Sequence, residues 1–179
     1  FQIYVINSDG TGRRQITNLP EGACQPDWSP DGKRLVFISP CDTINDYYPG
    51  SAMYIINDDG KGLLPLPTLA GGDYDPKWSP DGSKLAYARP DSIGIVDTKS
   101  GELESLIDFT PYQPKTDWAW VPSIHWSSDG SVLFTVVNNN YEGDQSADSY
   151  DLAAILLDTK RIIPLVSRCG LFCYPNPSA

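Results

Sequence analysis

The sequence predicts an all-β chain made of repeated four-stranded antiparallel units, and three observations carry that prediction. A Trp-Ser-Pro-Asp-Gly stretch occurs at Trp28–Gly32 and Trp78–Gly82, and returns as Trp-Ser-Ser-Asp-Gly at Trp126–Gly130. Between these copies a second segment recurs, IYVINSDGTGRRQIT from Ile3, MYIINDDGKGLLPLP from Met53, IGIVDTKSGELESLI from Ile93 and AAILLDTKRIIPLVS from Ala153. No stretch sustains helical periodicity with caps. Self-similarity with a period of about fifty residues is the mark of a repeat architecture.

Each unit reads as four short strands. The first ends on the tryptophan, and the second is the Leu-Val-Phe, Leu-Ala-Tyr or Leu-Phe-Thr run that follows the turn. The third is Tyr-Val-Ile, Tyr-Ile-Ile, Gly-Ile-Val or Ala-Ile-Leu, and the fourth holds the Gln-Ile-Thr, Leu-Leu-Pro-Leu, Leu-Glu-Ser-Leu-Ile or Ile-Ile-Pro-Leu-Val run. The first hairpin is closed by Pro30, Asp31 and Gly32, by Pro80, Asp81 and Gly82, and by Asp129 and Gly130, where Ser128 replaces the proline. Proline presets φ near −65°, aspartate tolerates the bridging position and glycine takes a positive φ. Ser-Asp-Gly-Thr-Gly, Asp-Asp-Gly-Lys-Gly and Thr-Lys-Ser-Gly-Glu do the same between the third and fourth strands.

A sheet with one wet face alternates apolar and polar residues. The second and third strands here are apolar at consecutive positions, Leu35–Ile38 and Tyr54–Ile56, so both of their faces must be covered. Four-stranded sheets stacked around an axis, as in a β-propeller, cover them. Pro65, Pro67 and Pro164 fall in or beside the fourth strands, which fits an outer rim because proline cannot donate to a ladder. On this reading Trp28, Trp78 and Trp126 each fill the gap between neighbouring sheets.

At this level the chain resembles the TolB-type propeller repeat, related to WD repeats but with its own signature. The resemblance rests on the IxVINxDGxxxRQIT segment followed by PDWSPDGKRLVF within Phe1–Phe37. It implies an incomplete arc of about three full blades with partial blades at both ends. The expected divisions are residues 1–22, the end of one blade; 23–70, 71–110 and 111–168, three blades; and 169–179, the start of the next. Such an arc leaves sheet edges unpaired, so the isolated chain is expected to associate. Its first implied partner is the remainder of its own propeller.

The chain carries 23 acidic and 13 basic residues for a formal net charge of −10. That balance offers no electrostatic footprint for nucleic acid or an anionic membrane, and no apolar run is long enough to span a bilayer. Folding the first hairpin brings Cys24 opposite the region of Cys41, and Cys169 and Cys173 flank a short loop. Two local pairs, Cys24–Cys41 and Cys169–Cys173, point to an oxidising compartment, periplasmic or extracellular; four thiols in a reducing cell is the alternative. Cys-x3-Cys lacks the second ligand pair of a zinc site, and no metal or cofactor is expected.

In an antiparallel meander the tight turns share one end of the unit, and the links from second to third and fourth to first strand share the other. Three long links, Pro40–Ala52, Asp108–Pro122 and Val137–Asp151, therefore crowd one end. They carry Tyr47, Tyr48, Tyr112, Trp118, Trp120, Tyr141 and Tyr150 together with Asp42, Asp46, Asp144 and Asp148. Amphipathic side chains displayed by a rigid scaffold make recognition surfaces, and the alternative is that some of them cap the sheets or plug a channel. Asp144 and Asp148 complete the candidate binding set. The Asp-Gly turns lack the distal bidentate glutamate of a calcium loop. His125, the only histidine, aligns with Asp27 and Lys77 and reads as a solvated strand residue. Without Gly-x-Ser-x-Gly no serine-hydrolase assembly is legible.

The expected function is a non-catalytic binding module for a protein, carbohydrate or small ligand. The resemblance implies an envelope propeller that docks protein partners. A gating propeller of a prolyl oligopeptidase- or dipeptidyl peptidase-like enzyme and a carbohydrate-binding or sensor propeller are the alternatives.

Overall fold

The computed structural model describes residues 1–41, 50–67, 72–89, 92–108, 122–138 and 150–169, and these contain strands and no helix. Tyr47, Tyr48, Tyr112, Trp118, Trp120, Tyr141, Asp144, Asp148 and Cys173 lie outside the described residues. The chain forms two compact units, Phe1–Val121 and Pro122–Ala179.

In the first unit β1 (Tyr4–Val5) and β2 (Arg14–Gln15) pair as a two-stranded sheet. A four-stranded sheet follows, β3 (Cys24–Trp28), β4 (Arg34–Ser39), β5 (Ala52–Asn57) and β6 (Leu64–Pro65). The next is β7 (Tyr74–Trp78), β8 (Lys84–Ala88), β9 (Ser92–Asp97) and β10 (Leu103–Asp108). The second unit holds β11 (Ile124–Trp126), β12 (Val132–Asn138), β13 (Tyr150–Leu156) and β14 (Arg161–Val166). Every sheet is an antiparallel meander in chain order. Pro65 and Pro164 sit on the edge strands β6 and β14, opposite Tyr54 and Ala153. There their missing N–H breaks no ladder bond.

The first strand of each four-stranded sheet in the first unit carries a bulge. The β3–β4 ladder passes from Cys24–Ile38 to Asp27–Val36, and β7–β8 from Tyr74–Ala88 to Lys77–Ala86. Gln25 and Asp75 occupy the left-handed region at these bulges, with φ of 51° and 46°. A bulge re-aims its neighbours, and here it aims them across to the next sheet. Gln25 Oε1 accepts from the Asp75 amide at 2.7 Å, and Asp27 Oδ2 accepts from the Trp78 amide at 2.8 Å. Burial pushes the Asp27 carboxyl pKa up, against the lowering effect of the Trp78 amide and Lys77.

The two four-stranded sheets of the first unit meet through one apolar cluster. Val36, Ile38, Cys41, Met53, Ile55 and Leu66 come from the first sheet, and Trp78, Leu85, Tyr87 and Val96 from the second. Trp78 is 5% exposed, and the Arg34 guanidinium lies 4.8 Å from its ring centroid. Its indole N–H is buried with no hydrogen-bond partner, so Trp78 acts through apolar area and the overlying cation. Both faces of β4, β8 and β9 are covered in their interiors.

Trp28 departs from the expectation. It is 42% exposed, because the sheet it faces consists of β1 and β2 alone among the described residues. The cluster between these sheets holds Ile3, Ile16, Ala23, Leu35, Phe37 and Ile56, without the indole. In the second unit Trp126 is half-buried.

Replacing a well-packed aromatic by alanine costs about 3–5 kcal/mol. Urea denaturation of Trp78→Ala is expected to show a loss in that range, with Trp78→Phe retaining most of the stability because the indole N–H makes no bond. Trp28→Ala is expected to cost under half as much as Trp78→Ala.

Candidate functional site

The meander gives each unit two chemically different ends. At the turn end Ser29, Asp31 and Gly32 form a self-contained network. Gly32 N–H donates to Ser29 O at 2.8 Å, Ser29 Oγ donates to Asp31 Oδ1 at 2.6 Å and accepts from the Arg34 amide at 2.9 Å, and the Lys33 amide donates to Asp31 Oδ1 at 3.1 Å. Ser79 and Asp81 repeat it with the Lys84 and Ser83 amides. In the second unit Ser127 and Asp129 repeat it with the Val132 and Ser131 amides. Gly32, Gly82 and Gly130 have φ near 70°, a conformation costly for residues with a Cβ.

The invariant element of the three turns is therefore Ser-x-Asp-Gly. Proline at the second position is dispensable, as Ser128 shows, and the serine is the functional member that turn chemistry centred on proline overlooks. The turns between third and fourth strands also occupy their acids locally. Asp9 Oδ1 accepts from the Thr11 amide and Asp59 Oδ1 from the Lys61 amide, each at 2.9 Å. Asp97 Oδ1 accepts from the Lys99 and Ser100 amides at 2.9 and 2.7 Å.

The loop end is built differently. A disulfide joins Cys24 at the start of β3 to Cys41 just past β4, with Cα atoms 6.0 Å apart. A closed loop of this size removes about 3 kcal/mol of unfolded-state entropy in the chain-entropy account. The Cys41 amide donates to Glu21 O at 2.8 Å, so the bridge ties two links together at the base of the segment carrying Tyr47 and Tyr48. Cys169 is also disulfide-bonded, and its amide donates to Tyr150 O at 2.8 Å.

Beside the β8–β9 link lies a buried ion pair. Asp73 is fully buried and accepts from Arg89 Nε at 2.6 Å. The Arg89 guanidinium lies 5.1 Å from the Tyr87 ring centroid. Ser51 Oγ, from the neighbouring sheet, donates to the Asp73 carbonyl at 2.7 Å. Gly94 makes room for this stack, since a Cβ there would come 2.5 Å from the Tyr87 hydroxyl. Sequence reasoning missed the pair because Asp73 and Arg89 belong to no shared motif and meet only through the β7–β8 hairpin.

Of the predicted binding residues Tyr150 is described, and it is corrected. It is fully buried as the first residue of β13, paired with Asn138, so it is part of the core of the second unit. Neighbouring Asp151 is buried and accepts from the Arg168 amide at 2.8 Å. His125 is half-buried opposite Phe134, which departs from the solvated placement expected.

No family model matches the sequence. Dipeptidyl-peptidase 5 of Porphyromonas gingivalis is 42% identical over 38 residues, covering 21% of this chain and 6% of that protein. Among solved structures, TolB from Acinetobacter baumannii superposes with a TM-score of 0.64 at 21% identity, over 93% of this chain and 38% of that one. The β-propeller domain of the Trilobed protease from Pyrococcus furiosus gives 0.62 at 20% identity, over 93% and 49%. Oligogalacturonate lyase from Vibrio parahaemolyticus gives 0.65 at 15% identity, over 94% and 47%.

The fold is that of an incomplete β-propeller. Its four-stranded sheets are blades, and the chain spans less than half the length of each of these three solved chains. At these identities the likeness concerns fold and leaves activity open, since propellers here include a TolB, a protease domain and a lyase.

The acid response follows from the turns. Hydrogen bonds from Ser79, from the Ser83 amide and from the Ser83 hydroxyl hold the Asp81 carboxyl down to about 2, and Ser127 and Ser131 do the same for Asp129. A carboxyl lowered on folding contributes stability that is fully present above the unfolded value of 3.8. That contribution is lost as pH falls through about 2. The double variant Asp81→Asn/Asp129→Asn is expected to flatten the stability loss between pH 4 and 2, measured by urea midpoints. An unchanged acid slope contradicts the assignment.

Proposed function

We propose that the chain is a non-catalytic recognition module whose ligand binds at the loop end of the blades. The observation that carries this reading is the contrast between the two ends. At the turn end the carboxylates Asp9, Asp31, Asp59, Asp81, Asp97 and Asp129 accept from amides or hydroxyls of their own turns. They are occupied by folding. The loop end instead launches the links that carry Tyr47, Tyr48, Tyr112, Trp118, Trp120, Tyr141, Asp144 and Asp148 in the sequence. Its base is stiffened by the Cys24–Cys41 disulfide and by the Ser51–Asp73–Arg89 connection between blades. A rigid base under variable, aromatic-rich links is the arrangement recognition scaffolds use. The resemblance of the repeat to the TolB-type propeller implies a protein partner in the cell envelope, and the disulfides support a periplasmic or extracellular setting.

A second reading has its own support. The 38-residue similarity to dipeptidyl-peptidase 5 and the fold shared with a protease propeller domain favour a blade set that gates a hydrolase domain. A Gly-x-Ser-x-Gly stretch in the same polypeptide decides for the enzyme. A signal peptide with a small α/β domain ahead of the blades decides for the envelope module.

The binding reading is tested on peptide and glycan arrays with two sets of variants. Trp118→Ala and Tyr141→Ala are expected to weaken the strongest signals about tenfold, the effect of removing an aromatic anchor. Lys33→Ala and Lys61→Ala, at the turn end, are expected to leave them unchanged. Equal losses from both sets, or none from either, remove the loop-end assignment.

A further inference from the structure

We propose that the outer edge of β10, with the rim of the groove between the two complete blades of the first unit, docks an extended segment of a partner protein in which apolar and basic residues alternate. The outer edges of the blades are not alike. β6 spans Leu64–Pro65, with Pro67 just beyond it. The Leu66 amide donates to Met53 O at 2.9 Å, so ladder alternation turns positions 65 and 67 outward, where proline has no N–H to offer. β14 carries Pro164 in its interior. β10 runs for six residues without a proline, and it pairs with β9 and with no other described strand. The Asp97 amide donates to Glu102 O at 2.9 Å. Alternation then aims the N–H and C=O of Leu103 and Ser105 away from β9. The bulge between Ser105 and Ile107 ends this open stretch.

The two faces beside that edge differ in chemistry. Leu103 lies opposite Val96, Val96 opposite Leu85, and Leu85 opposite Trp78. In the facing blade Val36, Ile55 and Leu64 are opposed in the same way. Directly opposed residues share a face of a sheet. The two rows meet in one apolar cluster and run outward to Leu64 and Leu103, which are 53% and 41% exposed.

One repeat earlier Arg14 stands at the position of Leu64. It bonds to the Asp58 carbonyl and lies 3.5 Å from the Asp58 carboxylate, which closes that rim. Thr98 holds the place of Asp58 in the next blade, since their amides donate to Ser83 O and Lys33 O respectively. The Thr98 hydroxyl turns back to the Gly82 and Ser83 carbonyls of its own blade. Leu64 and Thr98 therefore leave this groove apolar and open at its rim.

Glu104 lies opposite Ile95 on the other face of β10, and Glu102, two residues before it, shares that face. A strand added along Leu103–Ser105 sets alternate side chains against Leu64 and Leu103 on one side and beside these carboxylates on the other. Apolar and Lys or Arg residues in alternation fit both sides. Main-chain bonds give such an occupant affinity, and the two faces give it selectivity. A second copy of β10 fits badly, because antiparallel self-pairing sets the carboxylates of both copies side by side.

The test titrates the chain into a short fluorescent peptide of alternating Val and Lys and reads anisotropy. A peptide with the same residues in two blocks and one alternating Val and Glu are run beside it. The alternating Val/Lys peptide is expected to bind about tenfold tighter than the block peptide. Ser105→Pro, which deletes an outward N–H, is expected to abolish binding at an unchanged urea midpoint, and Ser105→Thr to keep it. Leu64→Asn is expected to weaken binding several-fold, and Leu63→Asn, on the opposite face of β6, to leave it. Glu104→Lys is expected to shift preference toward the Val/Glu peptide. Equal affinity for alternating and block peptides, no effect of Ser105→Pro, or no binding of the alternating peptide overturns the proposal. So does a dimer of the chain alone that Ser105→Pro abolishes. Trp118→Ala, which tests the loop end, is expected to leave this titration unchanged, so the two readings fail separately.

Discussion

The contact on which the first unit depends is the seating of Trp78 against β4 of the preceding blade. A blade of this size cannot bury both of its faces alone, and its second and third strands are apolar on both sides. The indole meets Val36 and Ile38 in one cluster, the Arg34 guanidinium lies over it, and its backbone amide is bound to Asp27 across the gap. Apolar burial supplies the driving force. The polar bonds set the register, because Asp27 and Gln25 can reach their partners only when the bulges of successive first strands align. Stability and geometry thus come from different chemistries at the same interface.

The same principle explains why the two ends differ. At the turn end the Ser-x-Asp-Gly network closes each hairpin on itself, so nothing there depends on a neighbouring molecule. At the loop end the stiffening groups connect separate elements, as the Cys24–Cys41 bridge does across β3 and β4. The Ser51–Asp73–Arg89 chain does it across two blades. A buried pair such as Asp73 and Arg89 is weak evidence for stability. Its placement beside the shortest link, between β8 and β9, is what ties it to the shape of that end.

Much of the fold was legible in the sequence, for identifiable reasons. The repeat fixed the strand order, the consecutive apolar residues of β4 and β5 required covered faces, and prolines marked β6 and β14 as edges. Tryptophan burial was less legible, since the same Trp-Ser-Pro-Asp-Gly stretch gives a buried Trp78 and an exposed Trp28. The stretch encodes the hairpin, whereas burial depends on how many strands stand opposite. Tyr150 misled because a loop-like composition runs into β13 without a break, and only the pairing with Asn138 places it in a strand. Asp73 and Arg89 left no signal, because an ion pair across a hairpin has no sequence period.

Native-state hydrogen exchange tests the central claim most directly. If the Trp78 seat joins two blades into one cooperative element, the β4 and β8 amides exchange with a common opening free energy, and Trp78→Ala lowers both together. Protection that falls in β8 while β4 is untouched would show that the blades are stable separately and that the indole merely decorates their boundary.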